Sequence, residues 1–270
     1  MSALILLLTG LFLYARFVEP RWLQVKRVPL RLSHLPQAFD GLRIAQISDL
    51  HLGGWLRPGP LQAWLTRVNA LQPDLVLISG DFVEETARQD TEELLATLRT
   101  LQTPVLAVPG NHDHRRGVER VCQALTAHGV RVLRNEVFSL HRGDAQLHIA
   151  GLGDQAWGDD DLDALLERLP PEGPAILLAH EPDVADLAGP TERFALQLSG
   201  HTHGGQVRPP LLQRPLILPA WGQHYTGGLA RAGAMPVYTN RGLGMIRPWF
   251  RFNCRPEVTL LELQSDRPAP

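Results

Sequence analysis

The stretch "TPVLAVPGNHDH", Thr103 to His114, changes abruptly from apolar to polar residues, and this change indicates the fold. Its first half is a short apolar run, which predicts a buried strand. Gly110 then breaks the run, and an amide, an imidazole and a carboxylate follow in Asn111, His112 and Asp113. Taken alone, such a run is compatible with an ordinary polar turn, because Gly and Asn are common turn residues. Other strands must end in the same way before a functional site is indicated.

Apolar runs alternate with amphipathic segments along the chain. Further runs that predict strands are "LRIAQIS" (42–48), "DLVLIS" (74–79), "LHIAGLG" (147–153), "AILLAH" (175–180) and "FALQLS" (194–199). Helical patterns cover 61–71, 90–101, 117–129 and 160–170. Strands that are apolar throughout and joined by helices predict an α/β domain with one largely parallel sheet covered on both faces. A Pro-punctuated connector is predicted near Pro29–Asp40, and Pro- and Gly-rich loops with short strands follow Pro209.

The bulk composition excludes several classes of protein. The chain has 270 residues and a net charge of −2, so nothing indicates an electrostatic nucleic-acid binder. Its two cysteines, Cys122 and Cys254, are far apart in sequence. They argue against a disulfide scaffold and against a thiolate zinc site.

The N-terminal segment "SALILLLTGLFLY" (2–14) is uncharged and apolar, and basic residues follow it at Arg16, Arg21, Lys26 and Arg27. It is shorter than the ~20 residues that span a bilayer comfortably, and it lacks the features of a cleaved signal peptide. Arg16 can extend its reach by snorkelling, and Tyr14, Phe17 and Trp22 resemble an interfacial aromatic belt. We expect residues 1–25 to be a membrane anchor; the alternative is a helix packed on the protein's own core. The basic residues favour a cytoplasmic location for the rest of the chain.

Polar groups follow five of the apolar runs directly. In open α/β sheets, ligands bind outside the carboxyl ends of the strands, so these groups are expected to meet at one edge. The set comprises Asp49, His51, Asp81, Asn111, His180, His201 and His203.

Imidazole and carboxylate groups without thiolate suit Mn, Fe, Zn, Co or Ni, and we favour Mn. Seven groups are too many for one tetrahedral ion and suit two divalent ions that share a carboxylate. Two ions ~3.5–4 Å apart are the recurring arrangement for displacement at phosphorus, where they activate water and neutralise phosphoryl charge.

The five sequence blocks together resemble the calcineurin-like metallophosphoesterase superfamily over about residues 41–263. The blocks are "DLH" (49–51), "GDF" (80–82), "GNHD" (110–113), "AHEPD" (179–183) and "GHTH" (200–203). "GHTHGGQV", "RGLG", "RFNCRPE" and the apolar N-terminus are similar to the bacterial membrane-associated YkuE/YaeI-type branch. The resemblance implies two mixed β-sheets packed as a sandwich and flanked by helices, in place of the single sheet.

The resemblance also implies roles for individual residues. One metal would be held by Asp49, His51, Asp81 and His203. The other would be held by Asp81, Asn111, His180 and His201, with Asp81 bridging. His112 would be the acid that protonates the leaving group, and Asp113 would orient it. Apart from the resemblance, Arg241 in "NRGLG" could contact the substrate or pack on the domain, and His224 in "WGQHYTGG" could line the substrate pocket.

The function expected from these residues is hydrolysis of a phosphodiester or pyrophosphate, and we expect the substrate to be membrane-associated and of a lipid type. Neither a protein partner nor a nucleic acid is implied. The alternatives are a phosphomonoesterase such as a protein phosphatase, or a non-catalytic scaffold on the same fold. A scaffold would be expected to have lost part of the ligand set, which is complete here. The loops at 53–56 and 209–221 leave metal-bearing turns, so Trp55, Leu211, Leu212 and Leu216 could form a lipid-facing rim. The alternative is that they pack on the domain.

Overall fold

Two mixed β-sheets of six strands form the centre of the computed structural model, which describes residues 2–210, 212, 215 and 218–266. The first sheet has the order β1 (Gln24–Leu32), β12 (Glu257–Ser265), β2 (Arg43–Ile47), β3 (Leu75–Ser79), β4 (Val105–Val108), β5 (Val130–Val132). The second has the order β10 (Gly228–Ala232), β11 (Met235–Thr239), β9 (Leu196–Ser199), β8 (Ala175–Leu178), β7 (Ala145–Gly151), β6 (Glu136–Arg142).

The two sheets pack face to face around one apolar core. Leu77 and Leu106 of the first sheet belong to the same buried cluster as Ile149 and Ile176 of the second. The prediction of a single parallel sheet is therefore wrong, and the sandwich implied by the family resemblance is confirmed. Apolar runs indicate that strands are buried, but they do not encode which strands pair. The β6–β7 and β10–β11 hairpins make the second sheet mixed, and the antiparallel pairing of β12 with β2 makes the first sheet mixed.

Helices cover the outer faces of both sheets. They are α2 (Pro58–Ala70), α3 (Thr91–Leu95), α4 (Asn111–Ala127), α5 (Leu162–Arg168) and α6 (Ala185–Ala188), whereas α1 (Ser2–Leu13) is exposed to solvent over most of its length. The predicted stripe of α2 is buried at Leu61, Trp64, Leu65 and Val68. Helix α4 begins at Asn111, six residues before the predicted start, and it kinks at Gly117, where φ is +103°. The "GNHD" turn therefore lies at the start of a helix.

Strand β1 was missed because its residues looked like a connector. It overlaps the predicted connector at Pro29–Leu32 and pairs in parallel with β12 alone. Pro29 is tolerated because an edge strand does not need every N–H for the ladder. Its alternating burial also differs from the continuous apolar runs that identified the other strands.

The N-terminal helix leaves most of its apolar surface unpacked. Helix α1 continues through a π-helical turn at Tyr14–Val18 and a 3-10 turn at Glu19–Arg21. The 19 residues Ala3–Arg21 are long and apolar enough to cross a membrane, a test that a core helix or a signal sequence also passes. Only 17% of the most apolar window is buried, which argues against a core helix. The segment contacts the domain near its end, where Ala15 and Glu19 are buried.

Candidate metal centre

All seven predicted ligands lie together where the carboxyl ends of both sheets meet. Each is at most 7% exposed. They follow β2 (Asp49, His51), β3 (Asp81), β4 (Asn111), β8 (His180) and β9 (His201, His203).

Five of these seven residues have left-handed backbone conformations. Asp49, His51, Asp81, His201 and His203 have φ angles between 44° and 68°. Non-glycine residues seldom adopt this region, and they persist there only where surrounding structure enforces it. The chain therefore turns sharply at the end of each strand, and strain is concentrated in the cluster.

Asp81 lies between the two halves of the cluster. Its Oδ2 is 3.4 Å from His51 Nε2 and 3.3 Å from His180 Nε2. Its Oδ1 accepts a hydrogen bond from the backbone N–H of His112 at 2.8 Å. Burial opposes the charged carboxylate, but the His180, His112 and His51 imidazoles hold the pKa of Asp81 well below its usual range. An ionised oxygen between two imidazoles suits a bridging ligand.

The first half of the cluster contains Asp49, His51, Asp81 and His203. One ligand atom from each lies within 4.8 Å of all the others. His51 Nε2 is 3.1 Å from His203 Nε2, which is itself 3.6 Å from Asp49 Oδ1. Asp49 Oδ2 is buried and has no hydrogen-bond partner among the described residues. Converging nitrogens and an unpartnered buried carboxylate oxygen fit a divalent cation.

The second half of the cluster, around His180, also contains ligand atoms that converge on one position. His180 Nε2 lies 3.3 Å from Asn111 Oδ1 and 3.1 Å from His201 Nδ1, in addition to its approach to Asp81. With Asp81, this group offers two imidazoles, an amide oxygen and a carboxylate around a second position. The donor set therefore fits two divalent ions that share Asp81.

The imidazoles are oriented by hydrogen bonds on their other nitrogens. His180 Nδ1 lies 2.8 Å from the Ser79 carbonyl oxygen, and His201 Nε2 lies 2.7 Å from that of Ala220. Because a carbonyl only accepts, these nitrogens donate, and the other nitrogen of each ring keeps its lone pair for a metal. Burial lowers the pKa of His201 and, more strongly, that of His203, which favours their neutral forms.

Glu84 is a member of the site that sequence reasoning missed. Its Oε2 lies 3.2 Å from His51 Nδ1, on the side of the ring away from the cluster. Burial raises the pKa of Glu84, but the hydrogen bond from His51 outweighs this effect and the pKa is lowered. A carboxylate in this position fixes the ring and makes it a stronger ligand. Its closeness in sequence to Asp81 was the one available signal.

Asp154 ends β7 near the cluster without joining it. Burial, followed by the charge of Glu181, raises the pKa of Asp154 to about 9. Its Oδ1 accepts a hydrogen bond from the Trp157 N–H at 3.0 Å, and no hydrogen bond or ion pair among the described residues joins Asp154 to a candidate ligand. Its position after a strand is therefore not enough to make it a metal ligand.

Gly110 in the "GNHD" turn is required by close packing. Its φ of −124° is open to any residue, so a bend of the backbone does not require glycine here. A Cβ here would lie 2.4 Å from Asp81 Oδ1 and 2.8 Å from His180 Cε1. The turn thus approaches the cluster more closely than a side chain would permit.

His112 lies at the rim of the cluster. Its ring meets the ring of His51 edge-on, with centroids 4.6 Å apart, and its side chain is 15% exposed. Nε2 is 3.4 Å from Arg115 Nη1, and Nδ1 is 3.8 Å from Glu85 Oε2. Burial lowers the pKa of His112, and the Asp81 carboxylate opposes that effect. The imidazole is therefore beside the ligands and reachable from solvent.

The carboxylate of Asp113 accepts hydrogen bonds from backbone N–H groups. Its Oδ1 accepts from the N–H groups of Phe82 and Val83 at 2.9 and 3.2 Å, and its Oδ2 accepts from Gly110 N–H at 2.9 Å. Burial, followed by the Asp81 charge, raises its pKa to about 7. Asp113 thus ties the "GNHD" turn to the loop after Asp81, and any orientation of His112 would act through the backbone.

Arg241 borders the His203 loop, where its Cγ lies 3.0 Å from the position that a Cβ on Gly204 would take, and His224 lies at the surface. Arg241 Nε is 3.6 Å from the buried Glu257 Oε2. His224 is exposed, and its Nδ1 is 2.6 Å from Asp186 Oδ2. Both have partners elsewhere, so their substrate contacts stay a prediction.

A buried arginine supports the loop that carries His203. Arg251 is fully buried, and its Nη1 donates to the carbonyl oxygens of Cys254 at 3.0 Å and His203 at 3.5 Å. Its Nη2 donates to the carbonyls of Arg241 and Gly244 at 2.8 and 2.6 Å. Arg251 therefore joins the His203 loop to the "RGLG" loop.

The N-terminal segment contacts this same region. The backbone N–H of Arg251 donates to the Ala15 carbonyl at 2.9 Å. The Glu19 carboxylate accepts from the N–H groups of Asn253, at 3.0 Å, and Cys254. Cys254 Sγ in turn donates to the His203 carbonyl at 3.2 Å. The end of the apolar helix is thus two contacts away from a candidate ligand.

Comparisons with known proteins agree with this geometry. The family model described as calcineurin-like phosphoesterase matches residues 42–205. The chain is 38% identical to an uncharacterised metallophosphoesterase, YkuE, of Bacillus subtilis (strain 168), covering 93% of this chain and 89% of that one. It is 31% identical to the phosphodiesterase YaeI of Escherichia coli (strain K12), with 93% and 92% covered. It is 29% identical to the UDP-2,3-diacylglucosamine pyrophosphatase LpxG of Chlamydia trachomatis, again with 93% and 92% covered.

Proposed function

The chain belongs to the calcineurin-like phosphoesterase family, and we propose that it hydrolyses a membrane-associated, lipid-type phosphodiester or pyrophosphate at a dinuclear metal centre. Membership of this family makes it a phosphoester hydrolase. The observation that carries the proposal is the complete set of seven buried ligands with His112 beside it. A non-catalytic scaffold has no need for such a concentration of charge and backbone strain.

The ligands divide into the two sets that share Asp81. Two divalent ions held there, with Mn²⁺ the first choice, would supply water activation and neutralise phosphoryl charge. Glu84, Ser79 and Ala220 hold the imidazoles in the orientation that leaves the correct nitrogen free. The metal centre is thus prepared by groups outside the ligand set.

His112 is suited to hold the proton that the leaving group takes. Its ring lies at the solvent side of His51, and its backbone N–H fixes Asp81 Oδ1. Protonated, it would donate to the departing oxygen as a general acid. Asp113 holds the turn on which His112 sits.

A lipid-type substrate is supported by three observations. LpxG, the pyrophosphatase of a diacylated sugar nucleotide by its name, aligns with nearly the whole chain. The apolar helix exposes most of its surface and is followed by Arg16, Arg21 and Lys26, which favours a cell-membrane anchor with the domain on the cytoplasmic face. We propose that residues 1–25 form this anchor and that 41–263 form the phosphoesterase domain.

The structure describes only part of the proposed lipid-facing rim. Leu212 and Trp221 are about half exposed, and Ala220 binds His201, so this loop borders the cluster. Trp55 is half-buried and packs on the core, with the Arg21 guanidinium 5.5 Å from its ring centroid. Leu211 and Leu216 lie outside the described residues.

The test uses the full chain in detergent, loaded with Mn²⁺. Substrates would be bis(para-nitrophenyl) phosphate, para-nitrophenyl phosphate and a UDP-linked diacyl sugar in mixed micelles. We expect the diester and the pyrophosphate to be cleaved faster than the monoester, and chelation to abolish all three reactions. Faster monoester cleavage would favour the phosphatase alternative. A metal-loaded protein that cleaves none of them would be a scaffold.

A deletion separates the membrane role from the chemistry. Removing residues 2–13 should reduce turnover of the lipid substrate and leave the soluble diester unaffected. The deletion must end before Ala15 and Glu19, because both contact the domain. Deleting the segment through Glu19 would confound loss of the anchor with damage to the His203 loop. If the shorter deletion leaves lipid turnover unchanged, the anchor does not serve substrate access.

A further inference from the structure

A cleft with three arginines adjoins the metal centre. Arg57, Arg88 and Arg247 line a cavity of about 270 Å³ together with Trp249. All three arginines are exposed, and their side chains form no ion pair or hydrogen bond with the described residues. Arg134, by contrast, is neutralised by Asp159 and Glu119. We call this cavity the arginine cleft; its positive charge has no acidic partner among the described residues.

The walls of the arginine cleft are loops that leave the metal centre. One wall contains Gly53 and Gly54, and Gly54 N–H donates to the His51 carbonyl at 3.1 Å. The opposite wall, at Thr86–Gln89, follows Glu84. The cleft therefore borders the His51–Glu84 side of the cluster without containing a candidate ligand.

The cleft also adjoins the end of the apolar helix. Arg247 and Trp249 line a second cavity, of about 510 Å³, with Arg16 and Pro248. The Arg16 and Arg247 guanidinium carbons lie 6.0 and 5.0 Å from the Trp249 ring centroid. Arg16 is the first charged residue after the apolar run, where an inserted helix reaches the phosphate layer. Trp249 is a residue type that concentrates at this level.

We propose that the arginine cleft binds the phosphate headgroup of an anionic phospholipid. The guanidinium group donates two parallel hydrogen bonds to phosphate oxygens, and three of them surround this space. The cavity is slightly smaller than a typical small-molecule pocket, so it accommodates a headgroup while the acyl chains stay in the bilayer. The bound lipid would hold the His51 side of the metal centre against the membrane. The proposal does not depend on which phosphoester is hydrolysed.

The test is native mass spectrometry of the full chain in a neutral detergent, titrated with phosphatidylglycerol or, as the neutral lipid, phosphatidylcholine. The variant is Arg57→Gln with Arg88→Gln and Arg247→Gln. The matched control replaces Arg67, Arg99 and Arg231, which are equally exposed and lie outside the cleft. We expect the original chain to bind one phosphatidylglycerol molecule tightly. Its affinity should fall about fivefold for each cleft arginine replaced and about 100-fold in the triple variant. The control should bind like the original chain.

Three measurements can overturn the proposal. If the cleft variant and the control variant lose the same affinity for phosphatidylglycerol, the overall positive charge of the protein attracts the lipid and the cleft does not. Equal affinity for phosphatidylcholine would remove the role of anionic charge. Equal affinity for soluble glycerol phosphate would identify a site for free phosphate instead of lipid. Metal content should be unchanged in the triple variant. If it falls, the affinity of the single variant Arg247→Gln for phosphatidylglycerol is measured instead, and an affinity equal to that of the original chain would contradict the proposal.

Discussion

The two halves of the ligand cluster share Asp81 but are supported by different parts of the chain. In the half with His180 and His201, the imidazoles are oriented by backbone carbonyls of Ser79 and Ala220. In the half with Asp49, His51 and His203, support comes from side chains. Glu84 holds His51, and Arg251 and Cys254 hold the His203 loop.

The difference shows that one half of the cluster is tied to the ends of the chain. The "RGLG" loop also reaches the first half, because Gly244 N–H donates to the Asp49 carbonyl at 2.7 Å. Glu19 then joins the apolar helix to Asn253 and Cys254. Disturbing the N-terminal segment or the loop with Asn253 and Cys254 should therefore affect the His203 half first. The imidazoles of the other half depend on the backbone carbonyls of Ser79 and Ala220.

The largest effect is expected from the residue common to both halves. Asp81→Ala removes the one carboxylate among the described residues that forms close contacts with both His51 and His180. We expect loss of both metal ions and of all hydrolysis, measured by metal analysis and turnover at saturating Mn²⁺. Asn111→Ala is the control that affects the His180 half alone, and it should retain part of both. Near-native turnover in Asp81→Ala would contradict a shared centre.

His112→Ala should keep the metal ions in both halves and lose rate. As a general acid it would contribute ~10²–10⁴-fold. The loss should be smaller for an aryl ester than for an alkyl ester, because a good leaving group needs less protonation. Turnover of the two esters with metal content measured in parallel provides the check. Equal losses for both would identify His112 as a binding or structural residue.

The smallest effect is expected from the remote support of the His203 half. Arg251→Met leaves several buried carbonyls without a donor, and Glu19→Gln weakens one of two backbone contacts. We expect about a 10–100-fold loss of metal affinity at one of the two positions for Arg251→Met, and less for Glu19→Gln. Metal titration by calorimetry should show one weakened and one unchanged step. If both steps weaken equally, the two halves are not supported separately.

Much of the ligand set could be predicted because its signals are local. Each candidate follows a strand within a few residues, and Asn111 follows β4 in a turn of recognisable composition. Continuous apolar runs located most of the strands that carry them. Edge strand β1 and short β5 lacked that pattern, since partial exposure and proline do not mark a buried strand.

The residues by themselves determined the chemistry of the site: which donors exist, that they end strands, and that an apolar segment precedes the domain. Tertiary structure decided that the strands form two sheets, that Glu84 orients His51, and that Gly110 is needed for close approach and not for a bend. It also decided that Glu19 reaches Asn253 across 234 positions. Such contacts leave no periodic or local pattern, because backbone amides are present at every residue and only the fold selects which of them a buried side chain meets.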